Sequence, residues 1–215
     1  MRKLLLMLMA VMAISWGVSA EASVIEGREW AVNIDGSYTL TSGQLLALPG
    51  DAVAPILTPG AHYVGLFIDY DIDIVDNTYF NEFGAANGAP AAGLSWEIDE
   101  PEYLFGNIKT NLKNGALDNA NGVPASAPDD VSMALAWSFS LAAGETANVI
   151  FHLSTVAPAS GFYLSQTDPD SAATFYFWSD LVIGGGQVPV PEPATLLLMG
   201  SGLGGLALLR KWRKG

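Results

Sequence analysis

The chain has 215 residues, no cysteine and a formal net charge of −13, with 22 acidic residues against nine lysines and arginines. The lack of cysteine excludes disulfides, thiol catalysis and thiolate metal sites, so stability has to come from a buried core. The negative charge repels a phosphate backbone, and we therefore expect no nucleic-acid partner.

The first 20 residues have the three parts of a secretory signal peptide. Arg2 and Lys3 give a charged start, residues 4–14 are apolar, and Val18-Ser19-Ala20 is a small-residue cleavage site. We predict export and cleavage after Ala20. A retained N-terminal anchor is the alternative, and the shortness of the apolar segment argues against it.

Residues 21–186 are predicted to form one exported, all-β domain. Period-two segments recur every ten to fifteen residues between turn signals, without alternating helices, so we expect an antiparallel β-sandwich of jelly-roll-like or Ig-like type. Residues 21–190 hold 21 of the acids and three bases, Arg28, Lys109 and Lys113, a formal charge of −18. The simplest interpretation of this charge is a well-solvated exported surface.

The domain begins with a predicted hairpin. Its first strand ends at Ile34, and Asp35-Gly36 supplies turn residues. We predict a three-residue loop that places Tyr38 opposite Ile34 and Leu40 opposite Val32, because this register keeps the apolar side chains on one face.

Residues 62–74 form the longest alternating segment. Apolar residues dominate the even positions, whereas Asp69, Asp71 and Asp73 form a row on the opposite face. Hard cations take clustered carboxylate oxygens, so one hypothesis is a Ca²⁺ site, although the glycine and final glutamate of an EF-hand loop are absent. The alternative is a solvated acidic face, and we expect no other cofactor.

A second acidic group follows Trp96. Glu97 and Glu100 beside this aromatic would suit glycosidic acid–base chemistry if their carboxyl groups converged in a cleft. The same residues also fit a short strand with Trp96 and Ile98 facing inward, followed by an acidic turn at Pro101. No nucleophile, phosphate-loop or metalloprotease motif appears, so we predict a domain that is not an enzyme.

The second half of the domain is predicted to be mostly strands. Residues 107–118 are the one plausible helix. Residues 131–141 alternate between apolar side chains on one face and small or polar ones on the other, and residues 147–153, 161–166 and 172–183 continue the pattern. His62 and His152 lie within strand patterns, where we expect ordinary hydrogen-bonded histidines.

The last 29 residues, 187–215, are predicted to be a linker followed by a membrane-associated signal. Pro191-Glu192-Pro193 precedes residues 194–209, which carry no charge and would rise roughly 24 Å as a single transmembrane helix. Four cations follow, which the positive-inside bias would hold in the cytoplasm: Arg210, Lys211, Arg213 and Lys214. The prolines mark an extended strip that a protease can grip.

This order of Pro-Glu-Pro, apolar span and basic tail resembles the PEP-CTERM sorting signal of exported proteins of Gram-negative bacteria. The resemblance implies processing by an exosortase, a membrane protease. It also implies a route through the inner membrane to the cell surface or an exopolysaccharide matrix, where polysaccharide is a possible partner. The alternative is a permanently anchored envelope domain.

Overall fold

Two five-stranded antiparallel sheets make up the described part of the chain. The computed structural model describes residues 25–42, 50–72, 78 and 80–185. The predicted signal peptide with Ala20, the sorting motif and the basic tail lie outside these residues. Within the described residues, no helix has the length and apolar character needed to cross a bilayer.

The described residues contain ten strands and one helix, and the connection from the helix to the next strand, residues 114–131, is long. Their bounds are β1 Ile25–Ile34, β2 Ser37–Ser42, β3 Gly50–Ile56, β4 Gly60–Ile72, β5 Phe83–Asn87, β6 Leu94–Asp99, α1 Ile108–Lys113, β7 Ser132–Leu141, β8 Glu145–Ser154, β9 Tyr163–Thr167 and β10 Thr174–Gly185. Sheet A has the order β2-β1-β4-β7-β6, and sheet B has the order β3-β8-β10-β9-β5. The all-β, antiparallel prediction is confirmed for this part of the chain.

The two sheets contribute to one hydrophobic cluster, the inter-sheet core. Leu66 and Leu135 enter it from sheet A, and Phe151 and Phe177 enter it from sheet B. Each of these residues belongs to the apolar set of an alternating strand, so the sequence pattern places it correctly. A buried hydrogen bond of 3.0 Å from Trp137 Nε1 to Ser179 Oγ adds a polar link between the sheets.

Sheet A is also covered on its other side, which we call its outer face. There α1 and the chain around it pack on a second group, the outer cluster: Ala31, Phe67, Ile108, Leu112, Leu117, Ala134 and Ala136. The sheet contributes mostly alanines, and their small side chains let the helix approach closely. Ser132, Ala134 and Ala136 of β7 are therefore fully buried on this side, whereas Ser138 and Ser140, farther along the strand, are exposed.

The first hairpin differs from its prediction. Asp35 (φ 52°) and Gly36 (φ 85°) form a two-residue turn, so Ile34 pairs with Ser37. Two positive φ values are the mark of a type I′ turn, whose twist matches that of the strands. The predicted three-residue loop is wrong.

The outer cluster explains the register. Tyr38 pairs with Asn33 instead of Ile34, and Leu40 pairs with Ala31 instead of Val32. This register turns Tyr38 toward the outer cluster, where it packs as a partly buried residue. The prediction assumed that sheet A had only one buried face.

The predicted helix is present but shorter, because α1 ends at Lys113. Asn33, buried on the outer face, donates from Nδ2 to the carbonyl oxygens of Leu112 (2.8 Å) and Lys113 (3.0 Å). These bonds add side-chain donors to carbonyl groups at the end of the helix, where the Leu112 oxygen also accepts from the Gly115 amide (3.1 Å). Gly115 follows with a φ of 68°, which ends the helical path.

The close approach of α1 to the sheet requires glycine at position 65. A Cβ there would lie 2.5 Å from Leu112 Cδ1 and 2.9 Å from Ala136 Cβ. We expect Gly65→Ala to destabilise the domain by about 1–3 kcal/mol, the usual cost of overpacking. Urea unfolding of the variant measures this change.

Gly184→Ala is the matched control, because nothing lies within 4 Å of a Cβ at that position. It should change the free energy of unfolding by less than about 0.5 kcal/mol. Equal effects of the two substitutions would show that α1 does not pack where we place it.

Candidate acidic site

Three carboxylates meet at one end of the outer face of sheet A. Asp69 and Asp71 lie on β4, and Asp130 comes shortly before β7. One carboxylate oxygen from each lies within 4.8 Å of the others. The register explains the meeting, because Asp69 pairs with Ser132 and continuation of the same pairing sets Asp130 beside Asp71. We call this group the aspartate trio.

The trio overlaps the predicted aspartate row but is not the same set. Asp69 and Asp71 are shared with the prediction, whereas Asp73 lies outside the described residues. Asp130 is far away in the sequence and reaches the other two through strand pairing. Alternation within one strand carries no information about such a partner.

Asp69 is the most deeply buried member, with only 1 % of its surface exposed. Tyr103 donates its hydroxyl to Oδ2 at 3.2 Å, and Oδ1 has no hydrogen-bond partner among the described residues. Burial, followed by the charges of Asp130 and Asp71, raises the pKa of Asp69 to about 8. The solvated-face alternative is therefore wrong for this residue.

A β-bulge places a cation, Arg28, beside the trio. The pairing of β1 with β4 shifts between Gly27 and Glu29, and Arg28 is the extra residue. Its Nε lies 2.6 Å from Asp71 Oδ2. Burial raises the pKa of Asp71 although this ion pair lowers it. Burial, together with the charges of Asp71 and Asp129, raises the pKa of Asp130 to about 6.

The trio lines a cavity of about 740 Å³. Among the described lining residues, six are carboxylates and Arg28 is the only cation: Asp69, Asp71, Glu82, Glu100, Asp129 and Asp130. Phe80, Leu104 and Phe105 form an exposed apolar rim. The cavity thus combines an acidic wall with an apolar mouth.

Glu82, which forms a β-bridge with Asp129, also lines the cavity and links the two sheets. Its carboxylate accepts hydrogen bonds from the Ile72 amide (2.9 Å) and from Gln166 Nε2. Gln166 also donates to the carbonyl oxygen of Tyr70 at 2.5 Å. Burial raises the pKa of Glu82 to about 8 despite these donors.

The segment that bears Tyr103 is fastened to sheet A by a lysine. Lys109 Nζ lies 2.7 Å from Glu29 Oε2 and 4.6 Å from the centroid of the Tyr103 ring. Glu29 pairs directly with Asp69 across β1 and β4, so this ion pair lies next to the trio. Lys109, fixed by Glu29, thereby holds the Tyr103 ring over Asp69.

The predicted glutamate pair does not share a cleft. Glu97 is 1 % exposed beneath α1, where it accepts hydrogen bonds from Asn111 Nδ2 to both oxygens (3.0 Å each) and from the Asp118 amide (3.3 Å). Glu100 lines the acidic cavity, and Glu97 does not. Burial raises the pKa of Glu97 to about 7. The contacts of Glu97 hold α1 and the residues after it against sheet A. Trp96 and Ile98 face the inter-sheet core as expected.

Both histidines make ordinary hydrogen bonds, as the sequence predicted. His62 contacts Asp35 Oδ2 through Nδ1 and the Thr58 carbonyl oxygen through Nε2, each at 2.8 Å. Because both nitrogens face acceptors, the protonated ring is favoured and the pKa of His62 is raised, chiefly by Asp35. His152 lies between Asp51 and Asp180 on sheet B.

Comparison with known families identifies the end of the chain. Residues 189–214 match the family model described as the PEP-CTERM protein-sorting motif. The chain carries a PEP-CTERM sorting motif. No curated protein and no solved structure matches the chain.

The PEP-CTERM motif indicates an exosortase-sorted protein, which implies export and transit through a membrane. The match includes Pro191-Glu192-Pro193 and the basic tail named from the sequence. It begins at residue 189, after the last strand ends at Gly185, and so does not include the β domain. The acidic site therefore has to be interpreted from its own geometry.

The raised carboxyl pKa values predict that stability falls as pH rises. Asp69, Glu82, Glu97 and Asp130 titrate in the folded protein between about 6 and 8, whereas unfolded carboxyl groups titrate near 4. The folded state therefore holds protons that the unfolded state releases, and the free energy of unfolding decreases between about pH 4 and 8. Urea midpoints of EDTA-treated protein should be higher at pH 5 than at pH 8.5.

Repulsion across the acidic surface would act in the same direction, so the measurement is repeated in about 1 M NaCl, where the Debye length is about 3 Å. Buried groups are screened little, and the decrease should persist. A midpoint that rises from pH 5 to 8.5, or a decrease that salt abolishes, would contradict the buried positions of these carboxylates.

Proposed function

We propose that this chain is a non-catalytic exported protein that an exosortase-type membrane protease processes and delivers to the cell surface or the extracellular polysaccharide matrix. The match of residues 189–214 to the PEP-CTERM motif carries the proposal. The signal-peptide pattern that ends at Ala20 and the acidic composition of residues 21–186 support it, since both suit an exported cargo.

The proposed cargo is a β-sandwich of jelly-roll-like or Ig-like class. The hydrophobic cluster shared by sheets A and B supports a two-layer arrangement. We assign no catalytic residue. The position of Glu97 beneath α1, apart from the cavity that Glu100 lines, supports a non-catalytic domain over the alternative of a carbohydrate-active enzyme.

One surface of the domain, the outer face of sheet B, has features that suit contact with a polysaccharide matrix. Phe175 and Phe177 of β10 enter the core, so Tyr176, Trp178 and Asp180 face the other way. Aromatic rings with polar edges suit sugars, which have apolar ring faces surrounded by hydroxyl groups.

Neighbouring side chains hold these aromatics in place. Trp178 stacks on His152 with ring centroids 5.1 Å apart, and His152 bonds Asp51 (2.7 Å) and Asp180 (3.2 Å). A fixed array loses little conformational entropy when it binds. We propose that this face contacts polysaccharide.

Sorting is tested by the intact mass of the mature protein. Wild-type protein should lose Arg210, Lys211, Arg213 and Lys214 together with the apolar span. Replacement of Pro191, Glu192 and Pro193 by alanine should leave the basic tail in place and keep the chain in the membrane fraction, because the protease loses its recognition strip. The matched control is Gln187→Ala, which lies outside the residues of the family match and should process normally.

A mature wild-type protein that retains the basic tail would contradict exosortase processing and would support a permanent anchor.

The polysaccharide contact is tested by binding to the host's own extracellular polysaccharide. Trp178→Ala should weaken binding about tenfold, the value of an aromatic contact of about 1.4 kcal/mol. Val182→Ala, on the same face of β10 but away from the ring array, should bind like wild type. Equal binding by both variants, or none by wild type, would remove sheet B as the contact surface.

A further inference from the structure

We propose that the aspartate trio of Asp69, Asp71 and Asp130 binds a Ca²⁺ ion, which the tyrosine-bearing segment over sheet A covers. This site is independent of sorting, since all three residues belong to the β domain and none to the PEP-CTERM motif.

The spacing of the oxygens fits calcium. Ca²⁺ takes its ligands at 2.3–2.6 Å, so two ligands on opposite sides of the ion are about 4.8 Å apart and adjacent ones are closer. The trio offers three carboxylate oxygens that all lie within 4.8 Å of one another. Mg²⁺ dehydrates reluctantly and usually keeps several waters beside one or two carboxylates. A set of three converging carboxylates therefore favours Ca²⁺.

A second observation points to the same ligand, namely the unpartnered oxygen of Asp69. The side chain is 99 % buried, Tyr103 holds Oδ2, and Oδ1 has no hydrogen-bond partner among the described residues although Asp69 lines the cavity. A buried carboxylate oxygen without a donor costs free energy unless a cation or a proton reaches it. A bound cation would supply the missing partner.

The negative charge of the cavity favours the binding of a divalent cation. Arg28 Nε contacts Asp71 Oδ2, and half of the arginine side chain is exposed to solvent. One partly solvated guanidinium does not balance three clustered carboxylates. Ca²⁺ would bring two positive charges to the point where the three carboxylates converge.

The cavity can also complete the coordination shell. Its volume of about 740 Å³ admits water, and calcium sites commonly combine a few carboxylates with water ligands. Glu100 lines the same cavity and can accept hydrogen bonds from such waters.

Calcium binding is tested by the thermal unfolding of the full exported chain, purified in detergent and stripped with EDTA. Added CaCl₂ at about 100 times the dissociation constant should raise the unfolding midpoint by about 5–10 °C, because the ion binds only the folded state. Equimolar MgCl₂ should produce a much smaller rise. Equal rises with both salts, or none with calcium, would overturn the proposal.

Two neighbouring substitutions separate a site from general attraction of cations. Asp130→Asn removes a member of the trio, and Asp129→Asn removes the same charge from the same cavity while all three trio carboxylates stay in place. Asp129 Oδ1 accepts a hydrogen bond from the Asp130 amide (2.9 Å), which the side-chain oxygen of an asparagine can also accept. Calorimetric titration should show calcium affinity lowered at least tenfold by Asp130→Asn and less than threefold by Asp129→Asn.

Asp130→Asn should also be as stable as wild type in EDTA, or more stable, because it relieves repulsion within the trio. It would thus lose the calcium effect while remaining folded, which distinguishes lost binding from misfolding. Equal weakening of calcium binding by the two variants would show diffuse counterion attraction and would contradict a site at the trio.

Discussion

The covering of both faces of sheet A is the constraint on which the rest of the structure depends. Residues 100–118 cross the outer face, and α1 packs on the small side chains of β4 and β7 there. The same covering buries Asp69 and Glu97, which an open sheet would leave in water. One stretch of chain thus creates both the second hydrophobic cluster and the acidic site.

The few cations of the domain are used on this side. Arg28 pairs with Asp71, Lys109 pairs with Glu29, and Lys113 lies 6.0 Å from the centroid of the Tyr38 ring. Exposed acids away from these cations, such as Asp51 and Asp180, give the described surface a negative charge.

Alternation in the sequence predicted the inner faces well, because one apolar face per strand is a local property. It assigned the inward faces of β6 and β7. A separate helical pattern located the one helix of the described residues. It missed the outer cluster, since alanine and glycine carry little hydrophobic signal, and for that reason it misjudged the register of Tyr38. Asp130 was beyond its reach because only the pairing of β4 with β7 brings that residue to Asp69. The sorting motif was identified in full, because it consists of Pro-Glu-Pro, an apolar span and a basic tail in a fixed order along the chain.

The most direct measurement is an anomalous difference map from crystals of the exported protein grown with Ca²⁺, recorded at a long X-ray wavelength. The account predicts one strong peak between the carboxylates of Asp69, Asp71 and Asp130, with oxygen ligands at about 2.3–2.6 Å. A map with no peak there, or with an ordinary water molecule between three well-separated carboxylates, would contradict it.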